Sequence, residues 1–315
     1  MRPHRTLAAI CLQLVTALSC TANRDAEQGR LVVYSAGSLA RPLRAAIDSF
    51  TAATRVAVDI ESAGSLETAR KLTELGKIPD VIALADEEVF PQLLVPRFTT
   101  WYARFARNRM VIAHTERSRY ADSLREATWR NVLTRNDVQV GRADPDLDPA
   151  GYRTLITFQL AERHYNDPGL AARLLANAPK RNMRAKSAEL VALLQAGELD
   201  YEWGYESVAQ AAGLRYMTLP SAIDLSTDAD SASYSAVSVR VLGGAPGDTV
   251  TMSGRPIRYA VSIPTDAPHH ELAQQFLAWL LSARGRATLR AEHLDALDEA
   301  QFTGTGIPHA VRFPE

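Results

Sequence analysis

The chain has 315 residues, 46% hydrophobic and 23% charged, enough to bury a full core and more than one small domain needs. Its 35 basic and 36 acidic residues are mixed along the chain and give a net charge of −1, which argues against nucleic acid as a partner. The two cysteines, Cys11 and Cys20, both lie near the start, so the body of the chain has neither a disulfide nor a Cys-based metal site nor a thiol nucleophile.

Arg2, His4 and Arg5 precede an apolar run over 7–15 and then small residues, which reads as an export signal over 1–20. The run is too short for a stable membrane span. Cys20 closes Thr16-Ala17-Leu18-Ser19-Cys20, which resembles the lipobox of bacterial lipoproteins except that Ala17 stands where Leu is preferred. Lipid attachment at Cys20 and simple cleavage both stay open. Residues 21–30 read as a polar linker.

From Leu31 the chain alternates short β-branched runs with amphipathic stretches, the pattern of parallel βα units. Leu31-Val32-Val33-Tyr34 is a strand, and Ser38 caps a helix with Leu39, Leu43, Ile47 and Phe50 at helical spacing. Val56 to Ile60 is a second strand, Ser65 opens a helix that ends at Gly76, and 80–86 is a third strand. Residues 109–113 form a fourth, which leads toward a second lobe. That lobe holds a strand over 138–141, helices over 150–165 and 187–195, and strands bracketing 205–213. Strands over 234–239 and 257–263 and a helix over 271–282 return the chain to the first lobe.

Two strand-to-helix turns, Ser35-Ala36-Gly37-Ser38 and Ser62-Ala63-Gly64-Ser65, repeat one tetrapeptide. Each sets a hydroxyl and unpaired backbone N–H groups at a helix start, where an anion is favoured. N-capping explains either turn alone, but both fall at the carboxyl ends of consecutive strands, where open α/β sheets bind ligands. In the second lobe Asp144-Pro145-Asp146-Leu147-Asp148-Pro149-Ala150-Gly151 leads into a helix whose N–H groups at Ala150 and Gly151 are expected to face the cleft. An Asp-Pro turn with Asp148 as N-cap is the plainer account of those residues.

Ala36-Gly37-Ser38-Leu39, Ala63-Gly64-Ser65-Leu66, Ile78-Pro79-Asp80-Val81 with Ala85-Asp86, and Asp148-Pro149-Ala150-Gly151-Tyr152-Arg153 follow one another in an order that resembles the periplasmic molybdate/tungstate-binding proteins of ABC importers, in their tungstate-type branch. The resemblance continues through 107–112, 186–190 and 197–209 and covers 31–291. It implies an α/β, two-lobed periplasmic-binding-protein fold of type II, each lobe a mostly parallel sheet flanked by helices, with the ligand in the interlobe cleft. Lobe one would comprise 31–113 plus 234–315 and lobe two 114–233, with hinges near Ala113 and between Ser233 and Val261.

By the same resemblance Ser38 and Ser65 each give a hydroxyl and an N–H to a tungstate or molybdate ion, Ala150 and Gly204 give N–H groups, and Tyr234 gives a phenol. Its implied partners are an ABC permease and its ATPase, reached by a periplasmic monomer without a cofactor. Gly204 departs from the tungstate-type pattern, which has a glutamate there. Asp148 is the carboxylate that remains, Glu202 and Glu206 reading as solvated or ion-paired, so four- and six-coordinate metal both stay open. With few acceptors, such a site favours a fully ionised tetrahedral dianion.

Two rival functions stand beside this one. An enzyme on the same fold lacks a nucleophile elbow, an HExxH pair, a Walker loop and a dinucleotide fingerprint here, and His269-His270 reads as a solvated pair at a helix start. A sensory binding protein for another oxyanion would differ in its genomic neighbours alone.

Overall fold

The computed structural model describes residues 29–314. The expected export signal, Cys20 and nearly all of the linker lie outside the described residues. Among the described residues thirteen strands form two helix-flanked sheets and a separate ribbon: β1 (Leu31–Ala36), β2 (Val58–Ala63), β3 (Val81–Leu84), β4 (Trp101–Arg107), β5 (Met110–His114), β6 (Val140–Ala143), β7 (Met183–Arg184), β8 (Tyr201–Tyr205), β9 (Arg215–Thr218), β10 (Ser238–Leu242), β11 (Thr249–Ser253), β12 (Arg258–Ser262) and β13 (Asp295–Gly304). The first lobe holds a six-stranded sheet of order β13-β4-β12-β3-β1-β2, and the second a five-stranded sheet of order β7-β6-β8-β5-β9.

The first βα units form as their patterns predict. In the helix Ala40–Thr54 the buried positions Leu43, Ala46, Ile47 and Phe50 recur every three to four residues, the spacing that turns one stripe toward a sheet. Phe50 meets Phe276 of the helix His270–Leu281 edge-on at 5.2 Å, which packs the two helices together. β1 runs parallel to β2 and β3, and its register sets Ser35 opposite Ser62 and Ala36 opposite Ala63.

Neither sheet is mostly parallel, contrary to the sequence expectation. β12 runs antiparallel to β3 and β4, and β13 antiparallel to β4. In the second sheet β5 is antiparallel to β8 and β9, while β6 is parallel to β7 and β8. A buried apolar run reads the same in either direction, and each passage of the chain between lobes brings a strand in reversed.

The lobe boundary moves for the same reason. Met110 to Ala113 belong to β5, between β8 and β9 of the second sheet, so the first crossing lies at Asn108 and Arg109 rather than near Ala113. The return crossing lies beside it, where the Asn108 N–H donates to the Ile257 carbonyl at 3.4 Å. Residues 234–239 are not one strand: Tyr234 ends the helical turn Ser231–Tyr234, and β10 begins at Ser238 and pairs with β11 outside both sheets. Among the described residues no helix is long and apolar enough to cross a membrane.

Candidate functional site

The in-register pairing of β1 with β2 brings the two Ser-Ala-Gly-Ser turns side by side at one edge of the first lobe. Neither serine is a helix cap. Ser38 lies inside a 3-10 turn, Gly37–Leu39, and the helix after it starts from Leu39. Gly64, in extended conformation, precedes the helix Ser65–Thr73, and its first residue Ser65 makes no capping bond. Both hydroxyls are therefore available for other work. Ser65 Oγ accepts the Ala85 N–H at 3.0 Å, and Ser38 Oγ accepts the Tyr259 phenol at 3.0 Å.

The second lobe presses the start of its helix Pro149–His164 against the second of these turns. The Leu147 carbonyl accepts from Leu66 N–H at 3.1 Å and Glu67 N–H at 3.3 Å, so two donors at the Ser65 helix start, expected to be unpaired, are engaged across the cleft. Asp148 is the N-cap: Oδ1 accepts Ala150 N–H at 2.9 Å, and Oδ2 accepts Ser187 N–H at 3.0 Å and its hydroxyl at 3.4 Å. Gly151 N–H donates to the Asp148 carbonyl at 2.9 Å. The N–H groups of Ala150 and Gly151 thus have partners of their own, as the plainer account of the Asp-Pro turn requires. Burial pushes the Asp148 carboxyl above its usual range, against the two backbone N–H groups that lower it.

A buried network ties the lobes together behind the serines. Arg153 Nη2 lies 2.8 Å from Asp86 Oδ2, and Nη1 donates to the Ala85 carbonyl at 2.8 Å and to Tyr205 Oη at 3.0 Å. The Tyr152 phenol also donates to Asp86. Burial disfavours the Arg153 charge, but Asp86 together with Tyr205 and Tyr152 more than offsets this and holds the guanidinium protonated.

Ser38, Ser65, Asp148 and Ala150 are thus brought to one interlobe cleft. Gly204 sits in β8 opposite Val111, one residue before Tyr205, whose ring lies 6.0 Å from that of Tyr259. Tyr234 is fully buried, and its phenol, expected to face the ligand, donates to the Ser221 carbonyl. Glu206 is ion-paired with Arg109 at 3.2 Å, as expected. Glu202 is neither solvated nor paired. It is 2% exposed, its Oε2 has no hydrogen-bond partner, and Oε1 lies 3.3 Å from where a Cβ on Gly204 would stand. Burial alone raises its pKa to about 8.

Sequence reasoning missed Tyr259, Asn108 and Ser187 as members of the cluster and gave no role to Asp86, Tyr152 or Arg153. Asp86 and Arg153 carried a signal, since an arginine and an aspartate inside otherwise apolar runs need buried partners. Tyr259 carried none beyond a hydroxyl in a buried strand.

The sequence profile of the bacterial extracellular solute-binding proteins matches residues 31–294. The chain belongs to that family. Among its relatives in the family is an uncharacterized solute-binding protein of Petrotoga mobilis, 41% identical over 263 residues, covering 83% of this chain and 82% of the relative. The molybdate/tungstate-binding protein WtpA of Pyrococcus abyssi is 36% identical over 326 residues, covering 94% and 93%. In fold, this solute-binding protein is similar to the sulfate-binding protein SubI of Mycobacterium tuberculosis (TM-score 0.60, 12% identity, 85% and 87% covered). It is similar also to the periplasmic molybdate-binding protein of Azotobacter vinelandii (TM-score 0.59, 17% identity, 84% and 98% covered).

Proposed function

We propose that this solute-binding protein is the extracytoplasmic substrate-binding component of an ABC importer, and that it captures tungstate or molybdate between its lobes as a tetrahedral dianion. The observation that carries the reading is the pair of in-register turns with serine hydroxyls free of capping duty, the second of which meets the Asp148 helix start of the other lobe through the bonds of Leu66 and Glu67 to the Leu147 carbonyl. Neutral donors at helix starts suit a dianion, because they stabilise charge without adding a counterion that must itself be desolvated. The likeness to the molybdate/tungstate-binding protein of Pyrococcus abyssi supports the choice of ion.

In this reading Ser38 and Ser65 donate from the first lobe, and the 148–150 segment and Gly204 close the cage from the second. Asp148 spends its carboxylate oxygens on the Ala150 N–H and on the Ser187 N–H and hydroxyl, so it holds the helix start in place. The protein acts by binding and delivery, as a monomer, with the permease and its ATPase as partners and the periplasm as its place; Cys20 would supply a lipid anchor. Calorimetric titration of the mature protein with tungstate, molybdate, sulfate and phosphate tests it. The expected result is tight binding of the first two. Absence of heat with all four removes the oxyanion reading.

A further inference from the structure

A serine hydroxyl has one hydrogen, so once its oxygen accepts a bond from the protein side the hydrogen is turned elsewhere. Both cleft serines are in that condition, Ser65 through the Ala85 N–H and Ser38 through the Tyr259 phenol. The sense of the second bond is set one residue further back. Asn108 Oδ1 accepts two backbone N–H groups, those of Arg109 at 2.9 Å and Ser207 at 3.4 Å, which fixes the amide against a flip. Its Nδ2 therefore faces the hydroxyls of Tyr259 at 3.0 Å and Ser207 at 2.7 Å, and an NH2 group can only donate. Tyr259 accepts from Asn108 and passes its own proton to Ser38, which leaves the Ser38 proton for the cleft.

We propose that Asn108 is a positioning residue for anion recognition: through Tyr259 it locks Ser38 as a one-way donor into the cleft, and so favours fully ionised tetrahedral oxyanions over those that carry a proton. The inference rests on the oxyanion reading above. Asn108 occupies the crossing between β4 and β5, and its second backbone bond holds the start of the helix Glu206–Ala211. The relay thus begins at the hinge and ends at the ligand. Burial pushes the Tyr259 pKa up to about 12, so the phenol keeps its proton through the neutral range. A ligand O–H directed at Ser38 would meet a hydrogen instead of a lone pair.

The test is a double-mutant cycle on the mature protein, read by titration with tungstate, molybdate, sulfate and phosphate, with thermal melting as the check of folding. Tyr259→Phe and Ser38→Ala should each weaken tungstate binding by about tenfold, the effect of one lost hydrogen bond. Their combination should bind no more weakly than Ser38→Ala alone, because the relay acts through Ser38. Tyr259→Phe should also narrow the ratio of tungstate to phosphate affinity, since a released Ser38 can turn its oxygen to a protonated ligand. Asn108→Ser, which keeps Tyr259 in place, should narrow it in the same way if Tyr259→Phe does not fold. Additive losses in the cycle, or an unchanged ratio in the variant that folds, would overturn the relay while leaving the oxyanion site standing. A wild-type protein that binds none of the four anions would overturn both.

Discussion

Glu202 holds a carboxyl in an apolar setting with no ion partner, and the physical consequence is a proton retained on folding. Its pKa rises from 4.5 in the unfolded chain to about 8 in the fold, with burial as the cause. The neutral acid therefore gives its full contribution below pH 4.5 and loses it as pH climbs toward 8. Across that window stability should fall by about 1.4 kcal/mol per pH unit from this group. Glu202→Gln keeps the shape and removes the titration. Its stability relative to wild type, measured by denaturant unfolding, should improve steadily from pH 5 to pH 8 if Glu202 titrates as described. A constant offset between the two proteins over that range would show that Glu202 does not titrate there.

The helix start at Gly64 shows how an element can be sound by itself and constrained only across the cleft. Gly64 has φ −63° and ψ 147°, a conformation open to any residue, yet an added Cβ would stand 2.2 Å from the Leu147 carbonyl oxygen of the other lobe. Gly64→Ala should leave the melting temperature of the ligand-free protein nearly unchanged, while overpacking of about 1–3 kcal/mol props the cleft open. Ligand affinity should then drop by roughly ten- to hundredfold. Unchanged affinity would mean that this contact does not belong to the binding state.

At this scale the sequence was legible wherever local chemistry decides. The helices Pro149–His164, Ser187–Ala196 and His270–Leu281 fall within a residue or two of their expected bounds, because amphipathic spacing and the Asp148-Pro149 start are local signals. β13 was missed: its exposed Glu299 and Gln301 mark an edge strand whose partner, β4, lies almost 200 residues away in sequence. β5 was assigned to the wrong lobe, since Met110 to Ala113 are apolar whichever sheet pairs with them. The repeated Ser-Ala-Gly-Ser turns pointed to the cleft serines, whereas Tyr259 and Asn108 join them through contacts 221 and 151 residues apart, which no spacing rule reaches.

Closure of the whole molecule is where the buried Asp86 and Arg153 matter most. Separation of the lobes would return both charges to water, so their net effect on closure depends on how completely the closed state satisfies them. Here Asp86 receives Arg153 at 2.8 Å, the Tyr152 phenol, and the Glu88 N–H at 2.9 Å, while Arg153 also reaches the Ala85 carbonyl and Tyr205. A network so fully paired selects one closed geometry, and loss of one partner leaves the other charge buried at a cost of about 3–5 kcal/mol. That penalty falls on closure rather than on either lobe, because the two charges lie in different lobes. Asp86→Asn should therefore lower ligand affinity by at least about a hundredfold, and small-angle scattering should find it expanded at ligand concentrations that compact the wild type. Tyr152→Phe removes a neutral donor and should cost about tenfold. Wild-type affinity and compaction in Asp86→Asn would reduce the pair to a bystander, and the hydrogen bonds of Leu147 to the Ser65 helix would then be left as the contacts that select the closed state.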